Sequence, residues 1–155
     1  MSADTDLRMA REPVVLCIDD DSRVLASLRR LLRGEPYGLV TATNAAQAFA
    51  SLRVRPVEVV VSDERMPDVT GCELLAEVRQ RWPWIGRVIL TAHSDPTMKV
   101  RAFQAGVDFL FHKPWNDDAL KSTIRRLIRE VERERTAFGD SRPVEPEFDL
   151  GGEGG

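Results

Sequence analysis

The sequence predicts one α/β domain, a doubly wound parallel sheet of five strands with helices on both faces. Three observations lead there. From Pro13 onward, five short apolar runs alternate with five stretches of helical periodicity. Several of the runs are continuous and rich in β-branched residues, as strands buried on both faces are. The chain has 155 residues, 43% of them hydrophobic, which suits one domain with a sizeable core plus tails. Parallel strands need crossovers, and crossovers are right-handed. In such sheets a site forms beyond the carboxyl ends of the strands.

The elements follow in order. Val14-Val15-Leu16-Cys17-Ile18 reads as the first strand and runs into Asp19-Asp20-Asp21. A helix follows with Ser22 as its N-cap and Leu25, Leu28, Leu31 and Leu32 on one side, stopped by Gly34. Tyr37 to Thr41 is the second strand, and Asn44 opens a helix to about Leu52. Val57 to Val61 is the third strand, ending at Ser62-Asp63. A loop with Pro67 and Gly71 leads to a helix carrying Leu74, Leu75 and Val78. Arg87 to Leu90 is the fourth strand, ending at Thr91. Pro96 suits the first turn of the next helix, which carries Met98, Ala102 and Ala105 and stops at Gly106. Val107 to Phe111 is the fifth strand, ending at Lys113-Pro114. The last helix starts near Asn116 and runs to about Phe138. The expected organisation is a flexible lead over 1–12, the domain over 13–138, and a disordered tail over 139–155 rich in Gly and Pro.

Composition excludes several classes. The net charge is −3, so there is no global basic footprint for nucleic acid. No apolar run approaches a membrane span, and Met1 to Glu12 is too polar for a signal peptide, so a cytoplasmic address is expected. The two cysteines, Cys17 and Cys72, make neither a disulfide framework nor a zinc cluster and read as packing residues.

Each strand end delivers something chemical. The first supplies Asp19, Asp20 and Asp21, the third Asp63, the fourth Thr91 and the fifth Lys113. Two carboxylates ~5 Å apart repel by roughly 3 kcal/mol at an effective dielectric of ~20. Gathering Asp19, Asp20 and Asp63 therefore calls for a cation, and Mg²⁺ suits an all-oxygen site that also meets phosphate. A carboxylate can attack phosphorus to give an aspartyl phosphate. Phosphoryl transfer then needs mainly positioning and charge neutralisation, which the Lys113 ammonium and Thr91 hydroxyl can supply. Taken singly, an Asp run after a strand is also an ordinary helix cap and a lone Asp63 an ordinary turn residue; the four strand ends together carry the reading.

These residues resemble the response-regulator receiver family. The matching segments are Val15 to Asp21, Val61-Ser62-Asp63-Glu64-Arg65-Met66-Pro67 with Gly71, Val88-Ile89-Leu90-Thr91-Ala92, and Ala105-Gly106 through Lys113-Pro114, over roughly residues 13–127. The resemblance implies the flavodoxin-like strand order 2-1-3-4-5 and a cis bond between Lys113 and Pro114. It implies Asp63 as phosphoacceptor, Asp20 as direct Mg²⁺ ligand, Asp19 as a ligand through water, and the Arg65 carbonyl as a backbone ligand. Thr91 matches the switch hydroxyl, Ala92 the small residue whose N–H faces the phosphoryl group, and Lys113 the family's lysine. Arg65 and His93 match positions that tune how water reaches that group; His93 also reads as a solvated loop histidine. It further implies a phosphorylation switch in a two-component phosphorelay, with a histidine kinase or phosphotransfer protein as donor and only its own phosphoryl chemistry as catalysis.

Three features depart from the family pattern. Leu110 stands where the switch aromatic lies, between Phe109 and Phe111. Trp115 follows Pro114; with Asp63 to Pro67 this is similar to receivers of hydrogenase-type and cyclic-di-nucleotide phosphodiesterase regulators. No output domain is read after the receiver. Trp82 and Trp84 read as packing, and the arginines of the last helix, interleaved with glutamates, as a salt-bridged face. Leu120, Ile124, Leu127, Val131 and Phe138 follow a 4,3 spacing with Glu134 in the seam. Val131 and Phe138 are expected beyond the sheet's reach, giving either a homodimer seam through the last helix or a frayed extension. Rival readings are a haloacid-dehalogenase-type phosphatase and the receiver fragment of a DNA-binding or enzymatic regulator. The first needs a second Asp two residues after the nucleophile, where Arg65 stands.

Overall fold

A computed structural model describes residues 11–93 and 95–137. Five strands, β1 (Val14–Ile18), β2 (Gly38–Ala42), β3 (Val59–Asp63), β4 (Gly86–Thr91) and β5 (Phe109–His112), form one sheet in the order β2-β1-β3-β4-β5. All four pairings are parallel. Five helices connect and flank them: α1 (Ser22–Leu32), α2 (Ala45–Val54), α3 (Gly71–Arg81), α4 (Pro96–Gln104) and α5 (Asp117–Ala137). The strand order reverses between β1 and β3, so the carboxyl ends of these two strands flank the crevice where a site is expected.

The continuous apolar strands are explained by two cores. Leu16, Ile18, Val60 and Ile89 pack under α2, α3 and α4, with Leu74, Leu75, Val78 and Met98. Val15, Cys17, Val59, Val61, Val88 and Leu90 pack under α1 and α5, with Leu25, Leu28, Leu120 and Ile124. Strands β1, β3 and β4 thus turn apolar side chains both ways. Cys17 and Cys72 are buried free thiols, and burial pushes each up to about 12. Trp82 is buried and stacks on Phe49 at 6.3 Å, as its packing role requires.

Local chemistry sets the element ends. Asp21, not Ser22, caps α1: its carboxylate accepts from the Arg23 N–H at 2.9 Å, which leaves Ser22 as the first helical residue. Asn44, Asp95 and Asn116 accept from Gln47, Met98 and Ala119 N–H groups at 2.7–2.8 Å. Thr70 and Glu73 form a reciprocal capping box on α3. Gly34 and Gly106 end α1 and α4 in left-handed conformations, φ 89° and 78°. β3 begins two residues later than its β-branched run suggests. Glu58 is held by side-chain bonds at the foot of the strand instead.

The foot of the sheet, opposite the carboxyl rim, carries a charged knot. Glu58 is fully buried. Its Oε1 accepts from the Val14 N–H at 2.7 Å, and its Oε2 meets Arg11 at 2.8 Å and Arg135 at 3.3 Å. Arg11, within the expected flexible lead, is thereby tied to the sheet. The arrangement also corrects the reading of the last helix. Val131 is only 4% exposed within the single chain. Arg135, one turn further, reaches Glu58, so this part of α5 lies across the foot of β3. The homodimer expectation thus loses Val131 from its seam; Phe138 lies outside the described residues. The helix's charged face is paired as expected, with Arg126–Glu130 at 3.8 Å and Arg125–Glu35 at 3.3 Å.

Candidate functional site

The parallel sheet delivers its strand ends to one rim. There a cavity of about 300 Å³ is lined by Asp19, Asp20, Asp21, Val24, Asp63, Arg65, Thr91, Ala92, His93 and Lys113. Eight of the nine residues singled out from the sequence therefore meet in one place. The ninth, Leu110, does not. Pairing with Ile89 in the middle of the edge strand, it packs into the core beneath α2, α3 and α4.

Asp19, Asp20 and Asp63 each place a carboxylate oxygen within 4.8 Å of the others. Asp19 and Asp63 are buried and Asp20 is exposed. The Lys113 ammonium bridges the two buried acids, 2.8 Å from Asp63 Oδ1 and 3.3 Å from Asp19 Oδ2. It reaches them because the Lys113 N–H donates to the Thr91 carbonyl at 2.7 Å, which anchors the end of β5 to β4. The Lys113–Pro114 bond is cis.

Burial raises the Asp19 carboxyl above the ordinary carboxylate range. The Asp21 N–H bond opposes that rise, and the neighbouring Asp63 adds to it. Burial alone would lower the Lys113 ammonium; its hydrogen bond to Asp63 and the charges of Asp19 and Asp63 outweigh that and hold it above the usual lysine value. The Thr91 side chain is buried and its hydroxyl oxygen accepts from the His93 N–H at 3.0 Å.

The donor set fits a hard divalent cation. Three carboxylates gather beside one ammonium, and the three clustered ligand atoms are all oxygen. Asp20, on the exposed side, leaves the site open to solvent and to a second ligand.

Sequence reasoning did not assign Glu64, which directly follows Asp63. Its side chain is buried, and its partner Arg101 lies 37 positions away on α4, a pairing that only the tertiary fold creates.

The chain belongs to the response regulator receiver domain family, whose model matches residues 15–125. It is similar to the hydrogenase transcriptional regulatory protein HoxA of Cupriavidus necator, 37% identical over 119 residues, 76% of this chain and 24% of that protein. It is likewise similar to the DNA-binding transcriptional regulator NtrC of Escherichia coli, 33% identical over 122 residues, 79% of this chain and 26% of that one. The chain thus spans about a quarter of these relatives' length. Among solved structures, the signal receiver domain of an HD domain-containing protein from Pseudomonas fluorescens superposes with a TM-score of 0.77. The two share 31% identity, over 81% of this chain and 93% of that one. The looser likeness to hydrogenase-type regulators, read from Asp63 to Pro67 and from Trp115, has a counterpart here in HoxA. Receivers of this family serve as regulators in two-component systems. Among the described residues, no helix is long and apolar enough to cross a membrane.

Proposed function

We propose that this receiver is a phosphorylation switch that takes a phosphoryl group onto Asp63. The observation that carries the reading is the rim itself. A buried strand-end carboxylate stands beside two further acids and is held by an ammonium 2.8 Å away. Asp63 attacks phosphorus, the bond from phosphorus to the donor's leaving group breaks, and that group departs with the bonding pair. The donor is a histidine kinase or phosphotransfer protein, whose imidazole leaves and takes a proton. Asp19, Asp20 and Asp63, with the Arg65 carbonyl, hold Mg²⁺, which when bound neutralises phosphoryl oxygens.

Lys113 gives a compact positive charge to the phosphoryl group in place of part of its contact with Asp63 and Asp19. The Thr91 hydroxyl and the Ala92 N–H donate to the remaining oxygens. Arg65 and His93, at the mouth of the cavity, govern water access and so the lifetime of the acyl phosphate. Leu110, partly buried on the edge strand and packed against the core, takes no direct part, so any switching movement uses a side chain other than an aromatic at that position. The signal passes to a protein partner or an attached domain.

The test is mass spectrometry after incubation with acetyl phosphate and Mg²⁺. One phosphoryl adduct is expected on the wild type and none on Asp63→Asn. An adduct that survives in the variant would refute Asp63 as acceptor.

A further inference from the structure

Glu64 sits one residue beyond the acceptor and turns away from the cavity. Its main chain closes two contacts: its N–H donates to the Leu90 carbonyl at 3.3 Å, and its carbonyl accepts from the Gly71 N–H at 2.9 Å. Its side chain adds two more. Oε1 accepts from the Cys72 N–H at 2.9 Å, and Oε2 lies 3.5 Å from Arg101 Nη2 on α4. Residues 64 to 72 are therefore drawn into a closed loop whose two ends meet on Glu64, and Arg65 on that loop lines the cavity.

The loop has little freedom elsewhere. A Cβ at Gly71 would overlap the Asp63 carbonyl oxygen and stand 2.7 Å from Ile89 Cδ1. Asp68 accepts from the Ala45 N–H at 3.2 Å, which fixes the outer bend against α2.

The Glu64 side chain is 4% exposed, and Arg101, itself 45% exposed, is the cation it meets. A buried carboxylate is not left uncompensated, so it follows its cation. The Glu64 carboxylate thus ties Arg101 on α4 to the Cys72 N–H and to the loop between them. Backbone carbonyls near an ion are placed by such supporting bonds.

We propose that Glu64 is a positioning residue for the ion site and that Arg101 makes this positioning depend on α4. The proposal rests on Mg²⁺ binding at Asp19, Asp20 and Asp63. It adds that ion affinity and α4 placement are linked through one buried carboxylate, reciprocally as linkage requires.

The test is a Mg²⁺ titration followed by amide ¹H–¹⁵N shifts on the full chain, for wild type, Glu64→Gln, Arg101→Met, Arg101→Lys and the Glu64→Gln/Arg101→Met double variant. Arg101→Met is expected to raise the Mg²⁺ Kd roughly 10-fold. The double variant should be no weaker than the weaker single one, since both cut the same connection. Arg101→Lys should restore most of the affinity. In the wild type, amides of α4 should shift with the ion, and in Arg101→Met they should stop. Arg101→Lys keeps a cation beside the buried Glu64 carboxylate, and the double variant removes both charges, so these two separate loss of the pair from loss of the fold. Wild-type affinity in Arg101→Met, α4 shifts that persist there, or effects that multiply in the double variant would overturn the proposal. A wild type whose amides ignore Mg²⁺ would overturn the ion reading itself, a distinguishable failure.

Discussion

Three consecutive aspartates do three different jobs. Asp19 is buried, takes the Asp21 N–H at 2.9 Å and shares Lys113 with Asp63. Asp20 faces solvent on the open side of the cavity. Asp21 caps α1. The rim acids repel one another without a cation, so removing one charge relieves the ion-free protein while weakening the ion site. Asp20→Asn is therefore expected to melt no lower than the wild type without Mg²⁺, yet to lose the rise that Mg²⁺ brings. At about a hundred times its Kd the ion adds ~2.7 kcal/mol to the wild type. The Asp19 carboxyl is raised in the folded state, so its contribution falls as pH rises through its range, and the ion offsets that loss. The increment should shrink as pH falls through the carboxylate range, where protons compete with Mg²⁺. The Lys113 contribution runs the same way in a higher window: it is present below the ordinary lysine value and lost only as pH climbs through its raised one. Thermal melts across pH, with and without Mg²⁺, read all of this; an equal Mg²⁺ increment in Asp20→Asn would contradict it.

At the scale of the element, the loop from β3 to α3 is the most constrained piece near the site. Gly71 is required there by contact and not by an unusual dihedral: the main chain passes so close to Asp63 that a methyl group has no room. Gly71→Ala should cost about 1–3 kcal/mol as overpacking, seen as a lower urea midpoint. A midpoint equal to the wild type's would show that the loop yields freely. Much of the architecture was legible in the sequence because periodicity states it directly. Val14 to Ile18 and Val88 to Leu90 are apolar on both sides, Pro96 and Gly106 bracket α4, and the acids sit at the ends of such runs. What the sequence could not display is pairing at a distance. Glu58 read as one more strand residue because nothing local shows that Arg11 and Arg135 converge on it. Val131 read as a free seam position because the path of α5 across the foot of β3 is a tertiary fact. Ser22 and Asp21 compete as caps on nearly equal terms, and only the φ of Asp21, −94°, with its bond to Arg23, decides between them.

Seen whole, the molecule has two poles. The acid-lined cavity occupies the carboxyl rim, while the opposite rim is closed by Glu58 with Arg11 and Arg135. Removing the carboxylate leaves two guanidinium groups near the core without their shared partner and the Val14 N–H without its acceptor. Glu58→Ala should cost about 3–5 kcal/mol. Amides at the start of β1 and in the last turns of α5 should then lose hydrogen-exchange protection together. Loss at one end alone would show that the two arginines act separately. The shared partner also has a topological meaning. The stretch that enters the domain and the stretch that leaves it are fastened to the same oxygen atom, Glu58 Oε2. Sequence joined before residue 11 or after residue 135 starts from one spot, on the side of the sheet away from Asp63. Both connections of the described domain thus lie at one pole, and the cavity lined by Asp63 opens at the other.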